Sequence, residues 1–360
     1  MKRIPGRANR ILFRGIIAPG LFLVIIGEIF FRLPVVPRHV TYVFDPVLGK
    51  RLAPSQTGSM WIGNMASLSP PMSFDSRGFR NPEPEAGEPT ILCLGSSETM
   101  GTGVRDSEVW TALLSDSLSR AGGALIRALN GGNPGYGPFH CSVILERALK
   151  ERLPRLVIAR VSMGDRNFRR PSPEQVEAYR RNMERNARIK AVTLFLPFLV
   201  DKATAQWAAI KQVFAFGSGD KVYARENETR EGADRMFVRE APWFDKMASL
   251  CRAAGVPLLF VIIDPMGTEA GTELRDRFEA RYAAPGDAHV LLVDNAAFGL
   301  DQDDREERRG AFLKAYTLVF DPHANPRQHA VIARSIAGYV GANRLLAPEA
   351  PAGGTGEEAP

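Results

Sequence analysis

The chain has 360 residues, 45% hydrophobic and 24% charged, with 46 Lys and Arg against 40 Asp and Glu and a formal charge of +6. Such proportions fit one large α/β domain with additions and exclude a collagen, a disordered activator and a transporter of many spans. The basic residues are scattered among acids along the whole chain, so no nucleic-acid partner is expected.

The N-terminus is basic at Lys2, Arg3, Arg7, Arg10 and Arg14, and then apolar from Gly15 to Phe31 apart from Glu28. Crossing a bilayer takes roughly 20 residues, so this run must borrow Ile11 to Phe13 or thin the membrane locally. The sequence after it, Phe30-Phe31-Arg32-Leu33-Pro34, has no small-residue cleavage site. An uncleaved signal anchor over 1–33 is therefore expected, an N-terminal transmembrane helix, rather than a removed leader. More Lys and Arg precede the apolar run than follow it, at Arg32 and Arg38. That bias puts the N-terminus in the cytoplasm and the remainder outside, a single-pass protein of the inner membrane with a periplasmic domain. A helix lying on the membrane or buried in the protein is the competing reading.

Residues 34–88 are rich in Pro, Gly and Ser and read as an irregular collar. Beyond them, apolar runs at Thr90–Leu94, Leu125–Leu129, Leu156–Val161, Leu258–Ile263 and Val290–Val293 read as buried parallel strands. Amphipathic segments at Val109–Arg120, Phe139–Glu151, Trp243–Ala254 and Glu273–Tyr282 alternate with them as crossover helices. The alternation implies a doubly wound sheet whose ligands bind beyond the carboxyl ends of the strands. The loops to inspect begin near Gly95, Asn130, Ser162, Asp264 and Asp294. Residues 170–239, with Arg180, Arg181, Arg185 and Arg188, interrupt the rhythm as a helical insertion, either a lid or a solvated hairpin. The Ala-, Pro- and Gly-rich tail, 344–360, is expected to be disordered. Cys93, Cys141 and Cys251 have neither a disulfide framework nor zinc spacing and read as buried thiols, and no metal or cofactor is expected.

The most informative segment follows the first strand: Gly95-Ser96-Ser97-Glu98-Thr99-Met100-Gly101-Thr102-Gly103. A serine in a tight turn at a strand's carboxyl end can present both its hydroxyl and its backbone N–H to one substrate carbonyl. A phosphate cradle is the alternative, but the glycine spacing of a dinucleotide site and the lysine of a P-loop are missing. Near the other end stands Asp321-Pro322-His323-Ala324-Asn325, ahead of a helical pattern over Ala330–Val340. There the Asp321 carboxylate can hold one imidazole nitrogen of His323 while the other takes a serine proton. His329 reads as packing or capping support, and Asp264, on the side of the sheet where substrate would lie, as a substrate contact or, the favoured reading, a cap for the next helix.

Together these blocks resemble the SGNH/GDSL hydrolase family over about residues 74–340. Phe74-Asp75-Ser76-Arg77-Gly78-Phe79-Arg80 is similar to the Gly-Phe-Arg lead-in of bacterial members carrying an N-terminal anchor. The resemblance implies a flavodoxin-like three-layer α/β/α domain with a five-stranded parallel sheet over 89–343. It makes Ser97 the nucleophile, His323 the base and then acid, and Asp321 its orienting partner. Gly135, in Asn130-Gly131-Gly132-Asn133-Pro134-Gly135, matches the oxyanion-hole glycine, although so glycine-rich a loop can also be only a crossover turn. The sequence departs from the family at Ser96, where Asp is usual, and in the third block. There Gly164 occupies the expected Asn position and Asp165 the Asp position, unless a loop shift brings Asn167 into the oxyanion hole. Losing one oxyanion donor costs roughly 10²–10³ in turnover.

The function this implies is hydrolysis of an acyl ester, on a glycan of the cell envelope, by an anchored extracytoplasmic enzyme. An O-acyltransferase on polysaccharide, or a catalytically decayed glycan-binding or assembly protein, are the alternatives.

Overall fold

The computed structural model describes residues 15, 17–33, 38–62, 67–123, 125–161, 170–193, 195–196, 229–283, 287–318 and 321–346. The basic flank before Gly15, the third block at 162–169, residues 194 and 197–228 of the 170–239 insertion, and the tail from 347 lie outside them.

Five parallel strands build the centre: β1 (Thr90–Leu94), β2 (Arg127–Asn130), β3 (Leu156–Val161), β4 (Leu258–Asp264) and β5 (His289–Asp294). They lie in the order β5-β4-β3-β1-β2, so the chain runs outward in one direction from β1 to β2 and in the other from β1 through β3 to β5. That reversal, the switch point of a flavodoxin-like doubly wound sheet, opens a crevice at the carboxyl ends of β1 and β3. The registers pair Cys93 with Asn130 and Leu94 with Ala159, which brings the loops after β1 and β2 and the end of β3 to one edge.

Alternate side chains of each strand feed opposite layers. Leu92, Leu94, Val157, Ala159, Phe260 and Ile262 face α2 (Pro138–Glu151), α4 (Arg230–Ala254) and α5 (Glu269–Phe278). Ile91, Cys93, Ile158, Leu259 and Val261 face α1 (Trp110–Gly122) and α7 (Pro326–Ala342). Both faces of the sheet are apolar because both are covered. In the first layer Phe244, Phe260 and Phe278 meet edge to face, with ring centroids 4.8–5.6 Å apart. Two further helices are α3 (Pro173–Val192), from the insertion, and α6 (Arg305–Tyr316).

The collar residues form short antiparallel pairs: Tyr42–Asp45 with Gly49–Leu52, Thr57–Gly58 with Met72–Ser73, and Trp61–Ile62 with Ser67–Leu68. Leu52, Met72 and Phe74 bury against Met100, directly under the loop that follows β1. All three cysteines are buried and none is in a disulfide.

The expected transmembrane helix is not found among the described residues, and Ile11 to Phe13, which that span borrows, lie outside them. The apolar helix runs from Ala18 to Arg32, 15 residues. At 1.5 Å per residue that is about 22 Å, short of the roughly 30 Å hydrocarbon core. Among the described residues no helix is long and apolar enough to cross a membrane. Leu21, Phe22 and Leu23 are nevertheless 58–64% exposed. Glu28, instead of reaching toward an interface, accepts from the Thr193 hydroxyl at 2.8 Å and from the Phe195 N–H at 3.0 Å. The Phe195 ring in turn lies against Gly27, whose missing Cβ leaves it room.

Candidate active site

β1 ends at Leu94, and after Gly95 and Ser96 the chain makes a single helical turn, Ser97–Met100. The turn is as tight as the sequence suggests. A side chain at Gly95 would run into the Thr99 hydroxyl, and Gly101 closes the turn at φ +82°, a conformation glycine adopts without strain. Ser97 is its first residue and remains half-buried, with its hydroxyl at the crevice.

The histidine arrives from the far end of the chain. A two-stranded pair, Thr317–Leu318 with Asp321–Ala324, carries it, and Asn325 then caps α7, accepting from the N–H groups of Arg327 and Gln328 at 3.0 and 3.2 Å. The same Asn325 amide donates back to the Ala315 and Thr317 carbonyls at 2.9 and 3.2 Å, so the residue after Ala324 is fixed on both sides. Leu318 packs against Gly103, which docks this pair on the loop of Ser97. As a result His323 Nε2 lies 2.9 Å from Ser97 Oγ. That is the contact a serine needs to lose its proton to a base. Asp321 precedes His323 by two residues on the same short strand. Its side chain lies outside the described ones.

The loop after β2 closes on this turn. Asn133 donates its N–H to the Gly95 carbonyl at 3.2 Å, and a turn from Asn133 to Tyr136 has Gly135 at φ +85°. The Asn130 amide donates to the Thr99 carbonyl at 2.8 Å and the Thr111 hydroxyl at 3.1 Å. Gly132 is packed so closely that a Cβ there would lie 2.8 Å from the Thr99 carbonyl carbon. The first and second blocks thus form one surface. Asn167, Gly164 and Asp165 lie outside the described residues.

His329 is fully buried in α7. Its Nδ1 accepts from the Trp110 N–H at 3.3 Å, which joins α7 to α1. Burial, then Arg80, Arg160 and His323, push its proton affinity down to about 3, so it is neutral. Asp264 accepts from the N–H and hydroxyl of Thr268, the residue that caps α5, at 2.5 and 2.9 Å, so it organises a helix start. Among the described residues no group of three or more His, Cys, Asp or Glu side chains could hold a metal ion.

Three contributors to this region were missed in the sequence. Arg160 of β3, with a side chain 6% exposed, forms an ion pair with Glu98, the neighbour of Ser97. Its signal was a lone charge inside an apolar strand run. Arg80 and Asn81 bond the turn and the second loop, and for Arg80 the signal was the Gly-Phe-Arg lead-in itself.

Several of the solved structures that match this chain are described as G-D-S-L or SGNH-family proteins. A structure described as TesA is 14% identical over 70% of this chain and 97% of its own, with a TM-score of 0.41. A lipolytic protein of the G-D-S-L family from Veillonella parvula DSM 2008 is 11% identical over 69% of this chain and 96% of its own, at 0.39. The esterase EstA of Pseudoalteromonas sp. is 14% identical over 72% of this chain and 99% of its own, at 0.38. No family model and no curated protein matches the sequence. Identities and scores this low carry no argument about chemistry, and the site geometry stands on its own.

Proposed function

We propose that this chain is a serine esterase of the SGNH/GDSL type that cleaves acyl esters. The observation that carries the reading is the 2.9 Å approach of His323 Nε2 to Ser97 Oγ at the carboxyl end of β1. In this reading His323 takes the hydroxyl proton as Ser97 attacks the ester carbonyl, and the N–H groups of Ser97 and Gly135 receive the developing oxyanion. His323 then protonates the departing alcohol, and water releases the acid by the same steps in reverse order. Asp321, two residues before His323, is the partner that holds the imidazole. A third oxyanion donor would come from the block that contains Gly164, Asp165 and Asn167.

The reading extends to location and substrate. The domain works outside the cytoplasm at the inner membrane, held there by the exposed apolar helix Ala18–Arg32 and the basic residues before it, and its esters are those of cell-envelope glycans. The exposed Leu21, Phe22 and Leu23 and the Lys2 to Arg14 flank support this. If a sugar hydroxyl replaces water in the second step, the same residues make an O-acyltransferase.

The purified chain is tested on a short-chain aryl ester and for labelling by a serine-reactive phosphonate. Turnover with a single phosphonate adduct on Ser97 is expected, and absence of both overturns the reading. An acetylated oligosaccharide with and without a second sugar separates hydrolysis from transfer. A periplasmic reporter fused after Arg38 that stays inactive overturns the location.

A further inference from the structure

Ser97 stands on one turn of helix, and a single turn has almost no stability of its own, since nucleating a helix costs more than its first hydrogen bond returns. Its position must be set by whatever holds the far end of that turn. The carbonyls there, from the last helical residue Met100 onward, have no helical partners. They are taken up by Arg80, a residue of the collar rather than of the sheet or its crossovers. Nη1 of Arg80 donates to the Met100 carbonyl at 2.9 Å and to the Gly101 carbonyl at 2.5 Å, and Nη2 to the Val104 carbonyl at 2.6 Å. Nε donates to Asp106 Oδ1 at 2.8 Å. The side chain is 1% exposed while that of Asp106 is 43% exposed. Gly101 and Thr102 are in turn bonded to the nucleophile itself, donating their N–H groups to the Ser97 carbonyl at 2.9 and 3.1 Å.

The adjacent residue engages the second loop. Arg80 donates its own N–H to the Asn130 carbonyl at 3.0 Å, and Asn81 Oδ1 accepts the Asn130 N–H at 3.1 Å. Asn81 is held by donating to Asp75 Oδ2 at 3.1 Å and to the Pro82 carbonyl at 2.8 Å. The turn that presents the pair is built around Asp75, which accepts from the Phe79 N–H at 2.9 Å. It requires glycine at position 78, where φ is +83°.

We propose that Arg80, seated by Asn81, is a positioning residue for the nucleophile: it fixes the helical turn of Ser97 and locks it to the loop that carries Gly135. This rests on the esterase reading of Ser97. The planar guanidinium serves four acceptors at once, which the point charge of a lysine cannot do. A misplacement of about 1 Å at a reacting atom costs roughly 10²-fold. Substrate binding, which does not depend on the aim of Ser97 Oγ, is left nearly unchanged.

The test uses the full chain with Arg80→Met, Arg80→Lys and Asp106→Asn, and with Arg127→Met as a control. Arg127 pairs with Glu88 at 2.8 Å, at the start of β2 and the opposite end of the sheet from Ser97. Each variant is measured for kcat and KM on an aryl ester, for melting temperature, and for amide exchange over residues 97–104. Expected for Arg80→Met is a fall in kcat of about 10²-fold with KM within about threefold, and faster exchange over 97–104. Arg80→Lys recovers part of the kcat. Arg127→Met lowers the melting temperature without changing kcat. Asp106→Asn, at an exposed position, loosens the guanidinium and lowers kcat by several-fold, which keeps the test open if Arg80→Met does not fold. A folded Arg80→Met with wild-type kcat, or a kcat loss equalled by Arg127→Met, overturns the inference. If the wild-type chain itself cleaves no ester, the esterase reading falls. The exchange over 97–104 then still decides whether Arg80 holds the turn, an unchanged rate sinking the proposal.

Discussion

His323 and Ser97 are 226 residues apart in the chain and 2.9 Å apart in space. Only the return of α7 beside α1, with β1 an interior strand of the sheet, makes them neighbours. Both side chains are half-exposed, so removing either function leaves the packed core intact. Ser97→Ala is expected to abolish ester turnover and phosphonate labelling with no change in melting temperature. His323→Gln is expected to lower kcat by roughly 10³-fold or more while labelling becomes slow rather than absent. A His323→Gln enzyme with wild-type kcat means that another base serves Ser97.

The five strands could be read from the sequence because each is a short apolar run in a sheet covered on both faces. The apolar run of β2 begins at Leu125, but Leu125 is 57% exposed and pairing begins at Arg127. The amphipathic pattern of α4 begins at Trp243, whereas the helix starts at Arg230 and passes through Pro242. Its buried stripe of Ala233, Met236, Phe237 and Phe244 continues at helical spacing across that proline, outweighing the one hydrogen bond it removes. The collar's pairings went unseen because strands of two to four residues are too short for any period. In the site, Ser97 and His323 were legible as chemistry. Arg80 was not legible as an anchor, because three of its four acceptors are backbone carbonyls, which leave no trace in residue identity.

The glycines of the second loop separate space from conformation. A Cβ at Gly132 would press on the backbone of Thr99 and Met100, whereas Gly135 is constrained by its φ of +85°. Gly135→Ala is expected to cost about 1–2 kcal/mol of stability, the penalty of a left-handed conformation for an L residue. Gly132→Ala is expected to cost more and to shift the turn of Ser97, so kcat falls more than melting temperature alone explains. Equal kcat in the two variants would argue that the turn tolerates the push.

The three thiols are buried outside any disulfide, and burial raises the pKa of Cys251 to about 12 and that of Cys93 further. A thiol that cannot ionise does not attack a disulfide reagent. The native chain is expected to react negligibly with an aromatic disulfide at pH 8 and to titrate three thiols once unfolded. Its electrophoretic mobility should be the same with and without reductant. One fast-reacting thiol in the native chain would contradict the packing around β1 and α4.

Acid stability follows from two neutral histidines. His140 is buried and its proton affinity is lowered to about 4, first by burial and then by Lys50; that of His329 is lowered to about 3. In each, Nδ1 already accepts a backbone N–H, from Gly137 at 3.2 Å and from Trp110 at 3.3 Å, so protonation would break a buried bond. Above pH 6.5 both residues are neutral whether the chain is folded or not, and this contribution to stability is complete. As pH falls from 6.5 toward 4 the unfolded chain takes up protons that the folded chain refuses, so stability drops by about 1.4 kcal/mol per unit for each histidine. Below about 4 His140 protonates in the folded chain too and its share of the slope ends. Melting temperature is therefore expected to decline through this window, with about half of the histidine contribution removed in His140→Gln. A variant slope equal to that of the wild type would mean that carboxylates, and not these imidazoles, set the acid limit.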